Sequence, residues 1–342
     1  MRNELTKSVI LVASVLASPS MAVLAQATAP LKLAQIITLP GYSGDFDHFA
    51  VDSQRGRLLL AAEDHATLEV FDLNTAKHLR TVGGFDAPHS ILVRSNAQTI
   101  LVTDSGKTMT KILDADSYNH KGTIPLVEGA DSAGYDAQRN IYYIVTGGKD
   151  VYMKTAQIEA VNPDSGQRLG SVTFNDNHVE AMALEKTGNL LFVNLAQTNK
   201  LAVVDRSTMK EIAEWPIKPC GQNAMIALDE ARKRLYIVCR QPGMVVVMNA
   251  DNGSTLSTSP APLRADDVLF DAAANRLYVP GGEGHIGVYD TTNADKVSLI
   301  ANVSTAPGAK TGILLSDRKQ LVLAVSPGET KAVAKILVYD IQ

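Results

Sequence analysis

The residue types that carry chemistry in this chain come in small groups of imidazole and carboxylate. Asp45-Phe46-Asp47-His48, Glu63-Asp64-His65, His178-Val179-Glu180 and Glu283-Gly284-His285 each set a histidine within two residues of an acid, and Pro88-His89-Ser90 adds a fifth histidine. Asp131-Ser132, Gln222-Asn223, Asp266-Asp267 and Lys310-Thr311 are further polar steps. Imidazole with carboxylate supplies a general base and its orienting partner, grips a polar ligand, or offers nitrogen and oxygen donors to a first-row divalent metal. His178 and Glu180 are two apart, so on a strand they point the same way. The competing role for each residue is structural, because polar side chains at strand ends hold water and satisfy backbone groups. Sharper chemistries are excluded: there is no Cys-x-x-Cys-His, no Gly-x-x-x-x-Gly-Lys-Ser/Thr, no Gly-x-Ser-x-Gly and no His-Glu-x-x-His. Gly281-Gly282-Glu283-Gly284 has no helix pattern behind it and reads as a wide turn.

What must position these groups is a repeat. An alternating apolar phrase ending in Asp or Asn occurs seven times: Leu68 to Asp72, Thr110 to Asp114, Ile158 to Asn162, Leu201 to Asp205, Val245 to Asn249, Ile286 to Asp290 and Ile336 to Asp340. The closing residues lie 42, 48, 43, 44, 41 and 50 positions apart, which is the length of one four-stranded propeller blade. Before each phrase stands a turn followed by an apolar strand, as in Asp229 to Val238 and Asp271 to Val279, with related forms starting at Asp52, Arg94, Asp136, Glu185 and Ser316. This reads as a β-hairpin joining first and second strands. Fourth strands are expected over residues 78–85, 118–126, 168–174, 210–217, 254–262 and 297–305.

The seventh repeat stops after its third strand, while an orphan strand stands at Leu31 to Leu39. Pairing the two predicts an all-β, seven-bladed β-propeller of four-stranded blades, closed by residues 31–39 completing the last blade and covering an otherwise open edge. One propeller domain is expected over residues 26–342. Residues 1–25 read as a signal peptide, with Arg2 and Lys7 before the apolar run Val9 to Leu16 and cleavage near Ala25. Ser14, Ser18, Pro19 and Ser20 interrupt that run short of the ~20 apolar residues a spanning helix needs. The expectation is a periplasmic or secreted protein with no membrane span after cleavage.

Composition narrows the partners. The 342 residues are 45% hydrophobic and 20% charged, enough apolar material for a large core. Loss of Arg2, Lys7 and Glu4 with the signal would take the formal charge from −4 to −5. There is no dense Lys/Arg run, so nucleic acid is not an expected partner; a small molecule or protein bound to a monomer is.

Leu101-Val102-Thr103-Asp104, Ile144-Val145-Thr146-Gly147 and Phe192-Val193-Asn194 fall within the repeats, each keeping part of a known strand motif. In them the sequence resembles the propellers named for Tyr-Val-Thr-Asn, which include YncE-like periplasmic proteins. The resemblance implies the fold and a binding platform, and related propellers include lactonases, lyases and cofactor holders.

In a propeller the first strands line a central channel, and the segments leading into them share one face with the second-to-third strand loops. That face should gather His48, His65, His89, His178 and His285. The expected ligand-binding set is His48, His89, Asp131, His178, Glu180, Asn223, Asp267 and His285. By analogy with propeller lactonases, the enzymatic alternative is a metal-dependent hydrolase or lyase. A divalent ion would then be held among Asp131, His178, Glu180, Asn223 and Asp267, with His178 as the candidate base. A surface protein without a site is the third alternative.

Cys220 and Cys239 are the only cysteines. The hairpin between them brings both to the channel-mouth end, but symmetric pairing sets Cys239 opposite Asn223 or Ala224. A disulfide, worth on the order of 3 kcal/mol for such a loop, requires Pro219-Cys220-Gly221 to fold back. The alternative is two thiols, with Cys239 buried as a small apolar residue.

Overall fold

The computed structural model describes residues 29–106, 109–328 and 332–342; the signal-peptide expectation for residues 1–25 lies outside them. Seven antiparallel sheets of four strands each form a ring. Six blades are continuous in sequence, over residues 49–82, 88–124, 133–174, 179–216, 221–260 and 269–304. Blade 7 combines Thr311–Leu315, Gln320–Val325 and Ala334–Ile341 with Leu31–Leu39 as its outermost strand. The seven Asp/Asn-ending phrases are the third strands.

The repeated acid has a local cause. Asp72, Asp114, Asn162, Asp205, Asn249 and Asp290 each turn a side-chain oxygen back onto the amide two residues ahead, closing the turn into the fourth strand. Asp52, Asp136, Asp229 and Asp271 do the same three residues ahead at the first hairpin. Left-handed residues such as Gly56, Asn140, Lys233 and Asn275 complete those hairpins.

Alternation along the middle strands feeds two neighbours at once. In Arg234–Gln241, Leu235, Ile237 and Cys239 pack toward blade 4, whereas Tyr236 and Val238 pack toward blade 6. The same division produces an apolar cluster at every blade junction, and both faces of each sheet are covered. Strands buried on both faces read as continuous apolar runs, as in Leu190–Leu195, while the outer Lys210–Pro216 alternates with solvent.

Closure is antiparallel, from Leu31 opposite Ile341 to Leu39 opposite Ala334. The seam between blades 7 and 1 is also bonded elsewhere: Phe46 N donates to Ser326 Oγ at 2.9 Å, and Arg318 reaches Asn74 Oδ1 at 2.7 Å. Cys220 and Cys239 are joined in a disulfide with Cα atoms 5.7 Å apart. Cys239 stands opposite Asn223, and Gln222 adopts φ 53°, a left-handed step in the chain between them.

On the face away from the channel mouth, the blades are tied side by side. Arg55 bonds Asp116 of the next blade, Arg94 bonds Asp164, and the buried Arg206 bonds Asp136 at 2.6 Å. Glu230 accepts from Lys186 N at 2.6 Å, Thr187 N at 2.9 Å and the Thr187 hydroxyl at 2.5 Å. Burial alone would raise this carboxyl, but those hydrogen bonds outweigh it and hold Glu230 at about 2.

Two outcomes follow from this architecture. Deleting residues 31–39 exposes the Ala334–Ile341 edge and removes Leu39 from the seam core, so the melting temperature should fall sharply; an unchanged value in a thermal melt would refute closure by this strand. Because the Glu230 pKa is depressed on folding, its contribution is complete above about pH 5 and disappears as pH falls toward 2. Glu230→Gln should therefore melt below the parent protein at pH 7, and the gap should close when the melts are repeated down to about pH 2.

Candidate ligand site at the channel mouth

The segments leading into the first strands extend each hairpin at one end of the ring. Asp47 N bonds Ala61 O at 2.9 Å, Asp131 N bonds Val145 O at 3.0 Å, and Ala196 N bonds His178 O at 2.8 Å. Side chains at these positions are thus carried by paired backbone rather than by free loops. The polar residue of the partial Tyr-Val-Thr-Asn motif helps to set this geometry. Thr103 Oγ1 donates to Asp131 O at 2.8 Å and Asn194 Nδ2 to Ala224 O at 2.9 Å, each reaching from one blade to the next.

A cavity of about 400 Å³ opens at this face, lined among others by Asp47, His48, Glu63, His89, Ser105, Asp131, His178, Glu180, Arg240 and Asp266. On one side, His89 Nδ1 lies 2.6 Å from Asp47 and 3.5 Å from Asp131, while His89 Nε2 lies 2.9 Å from Ser105 Oγ. His48 approaches the other Asp47 oxygen at 3.5 Å. On the other side, Glu180 contacts His178 Nε2 at 2.6 Å and Arg240 Nη1 at 2.9 Å. Arg240 continues to Asp266, which pairs with Lys310 at 2.6 Å, and Lys310 reaches Asp45 at 3.1 Å.

Acids outnumber fixed cations here, and the carboxyls divide accordingly. Burial opposes ionisation of Asp47, yet His48, His89 and Lys310 outweigh it and keep Asp47 far below the usual range. Asp266 is likewise buried but held down by Lys310 and Arg240. Glu63, Asp131 and Asp267 lack enough compensation. Burial first, then neighbouring acids, push them up to about 7, 6 and 7. The imidazoles respond in the opposite sense: burial disfavours their charge, but the surrounding acids raise His48 to about 9 and His89 to about 10.

Of the residues singled out in the sequence, His48, His89, Asp131, His178 and Glu180 line this cavity. Asp267 accepts from Gly312 N at 2.7 Å and lines the channel beneath, a space of about 350 Å³ that shares His48. Asn223 is fully buried, donating to Asn194 Oδ1 and Lys200 O, both at 2.9 Å. His285 pairs with Glu283 at 3.4 Å outside the cavity lining, and His65 packs against Tyr42 in a tilted contact with ring centroids 4.5 Å apart. The five residues proposed as a metal set from sequence therefore do not converge on one point. Asp47, Glu63 and His89 do, with one ligand atom from each lying within 4.8 Å of the others. Arg240 and Ser105 were not singled out. Both sit at the end of a second strand, equivalent to Glu63, and that equivalence is the signal that would have found them.

Fold and site together define a seven-bladed β-propeller with a charged, predominantly acidic channel mouth. No protein-family model matches the sequence, and no curated protein matches it. Solved structures do match in fold. "Crystal structure of RRP9 WD40 repeats" aligns with TM-score 0.73 at 12% identity, covering 90% of this chain and 99% of that one. "Structure of U3-55K" gives 0.71 at 12%, covering 88% and 98%. A chain of "Crystal Structure of Mitotic Checkpoint Complex" gives 0.74 at 11%, covering 98% and 99%. At such identities the likeness is one of fold.

Arg240 holds two acids from two blades, so its loss leaves Glu180 and Asp266 short of a partner in a largely buried setting. Arg240→Met should cost about 2 kcal/mol in urea unfolding, less than a fully buried pair because the guanidinium is partly exposed. A loss below 0.5 kcal/mol by that measurement would show that the bridge contributes little.

Proposed function

We propose that this chain is an exported binding propeller, YncE-like in kind, that acts as a monomer and takes a small, positively charged ligand at the channel mouth. The observation that carries the reading is the charge imbalance of the cavity. Asp45, Asp47, Glu63, Asp131, Glu180, Asp266 and Asp267 gather around Arg240, Lys310 and three imidazoles. A cation entering this space would offset the burial and, after it, the neighbouring acids that push the Glu63 and Asp131 carboxyls up. The seven-bladed fold itself supports a binding or interaction role. The expected signal peptide supports export, and an oxidising compartment suits the Cys220–Cys239 disulfide.

An enzymatic reading has one observation in its favour, the His178–Glu180 contact at 2.6 Å, which is the arrangement of a base and its orienting acid. The binding reading accounts for more of the cavity, since it uses the acids on both sides. Its test is native mass spectrometry of protein purified from the periplasm without chelator, alongside a His178→Ala/Glu180→Ala double variant. The parent should retain a small cationic species and begin near Gln26, while the variant should fold with weakened retention. A cytoplasmic protein with its leader intact, or a bound anion, would overturn the reading.

A further inference from the structure

The two halves of the cavity differ in a way that the overall charge does not explain. Around Glu180 every acid has a cationic partner: His178 and Arg240 for Glu180, Arg240 and Lys310 for Asp266. Around His89 the acids outnumber the partners. Asp47 and Asp131 both address the same Nδ1, at 2.6 and 3.5 Å, and the Glu63 carboxylate has no hydrogen-bond or salt-bridge partner among the described residues.

The geometry points to a binding site for one first-row divalent metal ion, held by Asp47, Glu63 and His89 Nδ1, with Asp131 as a further oxygen donor. This assignment rests on the cationic-ligand reading above and narrows it to an inorganic ion on one side of the mouth. Asp47, Glu63 and His89 come from the lead-in of blade 1, the end of its second strand and the first strand of blade 2, and Asp131 from the lead-in of blade 3. Ligand atoms around an ion bonded at about 2.0–2.2 Å stand roughly 3–4 Å apart, so atoms within 4.8 Å of one another close on it by small side-chain rotations. One imidazole with two or three carboxylates suits Zn²⁺, Mn²⁺ or Fe²⁺ better than a soft ion that prefers sulfur.

The far side of the ring supplies a second, independent argument. His89 is 8% exposed, and its Nε2 lies 2.9 Å from Ser105 Oγ. A metal-bound imidazole characteristically spends its other nitrogen on such an acceptor, which fixes the tautomer and aims the lone pair. With Nε2–H donating to Ser105, Nδ1 is the nitrogen that faces the acids, and an ion bound there replaces the Nδ1 proton now shared with Asp47, which is released to solvent. Ser105 is thus a positioning residue, and it needs no contact with the ion.

The test is titration calorimetry of the mature, disulfide-intact protein, stripped with chelator and then dialysed, against Zn²⁺ and separately Mn²⁺. One equivalent should bind. Glu63→Gln should weaken binding at least tenfold, and Ser105→Ala, which leaves the acids intact, should weaken it between about 3- and 100-fold. Glu283→Gln, at the separate His285 pair, should bind as the parent does. A visible spectrum of the Co²⁺-loaded protein that shifts in Ser105→Ala would report the imidazole directly. Absence of stoichiometric binding by either ion, or equal affinity in Glu63→Gln with circular dichroism unchanged, would overturn the metal site. If Glu63→Gln does not fold, Ser105→Ala decides by the same criterion. Failure here with an organic cation still retained in native mass spectrometry would leave the binding reading standing; failure of both would remove it.

Discussion

Closure of the ring by Leu31–Leu39 is the constraint on which the rest of the molecule depends. Each sheet is stable only because both its faces are covered, and the cover is always the neighbouring blade. A ring with one open junction would leave apolar faces on two blades and an unpaired edge on Ala334–Ile341. The closing strand is itself mostly solvent-facing, with Ile36 53% exposed, so its value lies in its hydrogen-bond ladder and in the end residues Leu31 and Leu39 that it inserts into the junctions. Tertiary context therefore makes a strand out of a segment whose own burial would not.

Rigid junctions explain how this protein tolerates a charge arrangement that is costly in isolation. Bringing seven carboxylates near one cavity is opposed by desolvation and mutual repulsion. The acids stay because strand ends hold them and because they share cations: Arg240 serves Glu180 and Asp266, and Lys310 serves Asp266 and Asp45. The cost is visible where sharing fails, at Glu63, Asp131 and Asp267, whose carboxyls are pushed toward neutrality. Sites built to receive charge commonly carry such an imbalance; here Glu63 and Asp131 place it on the His89 side of the mouth, and Asp267 carries it into the channel beneath. The opposite face shows the contrast. There Arg55–Asp116, Arg94–Asp164 and Arg206–Asp136 form matched pairs that tie blade to blade, and Glu230 is satisfied by backbone amides.

The division between legible and hidden features follows the range of the interactions involved. Strand alternation, the Asp/Asn turn closures and the count of seven third strands against six downstream fourth strands were readable because each is local, spanning a few residues within one repeat. The placement of His48, His89, Asp131, His178 and Glu180 around the mouth was readable for the same reason, since equivalent places in a repeat share a face. Sequence could not show which members of that face meet. Asn223 occupies a lead-in position like the others, yet the amide of Asn194 turns it into the blade 4–5 junction. Asp267, next to a residue that binds Arg240, bonds the Gly312 amide instead.

By itself, then, the sequence determined the all-β class, the number of blades, the strand that closes the ring and the end of the ring that carries the polar groups. All four rest on periodic, local chemistry. Only the tertiary structure decided the convergence of Asp47, Glu63 and His89, the bridging role of Arg240 across 60 residues to Glu180, and the disulfide of Cys220 with Cys239. Those outcomes depend on the angle at which each blade stands in the ring and on how the chain bends just before its first strand. Such geometry arises when seven apolar junctions pack together, and no single repeat contains it.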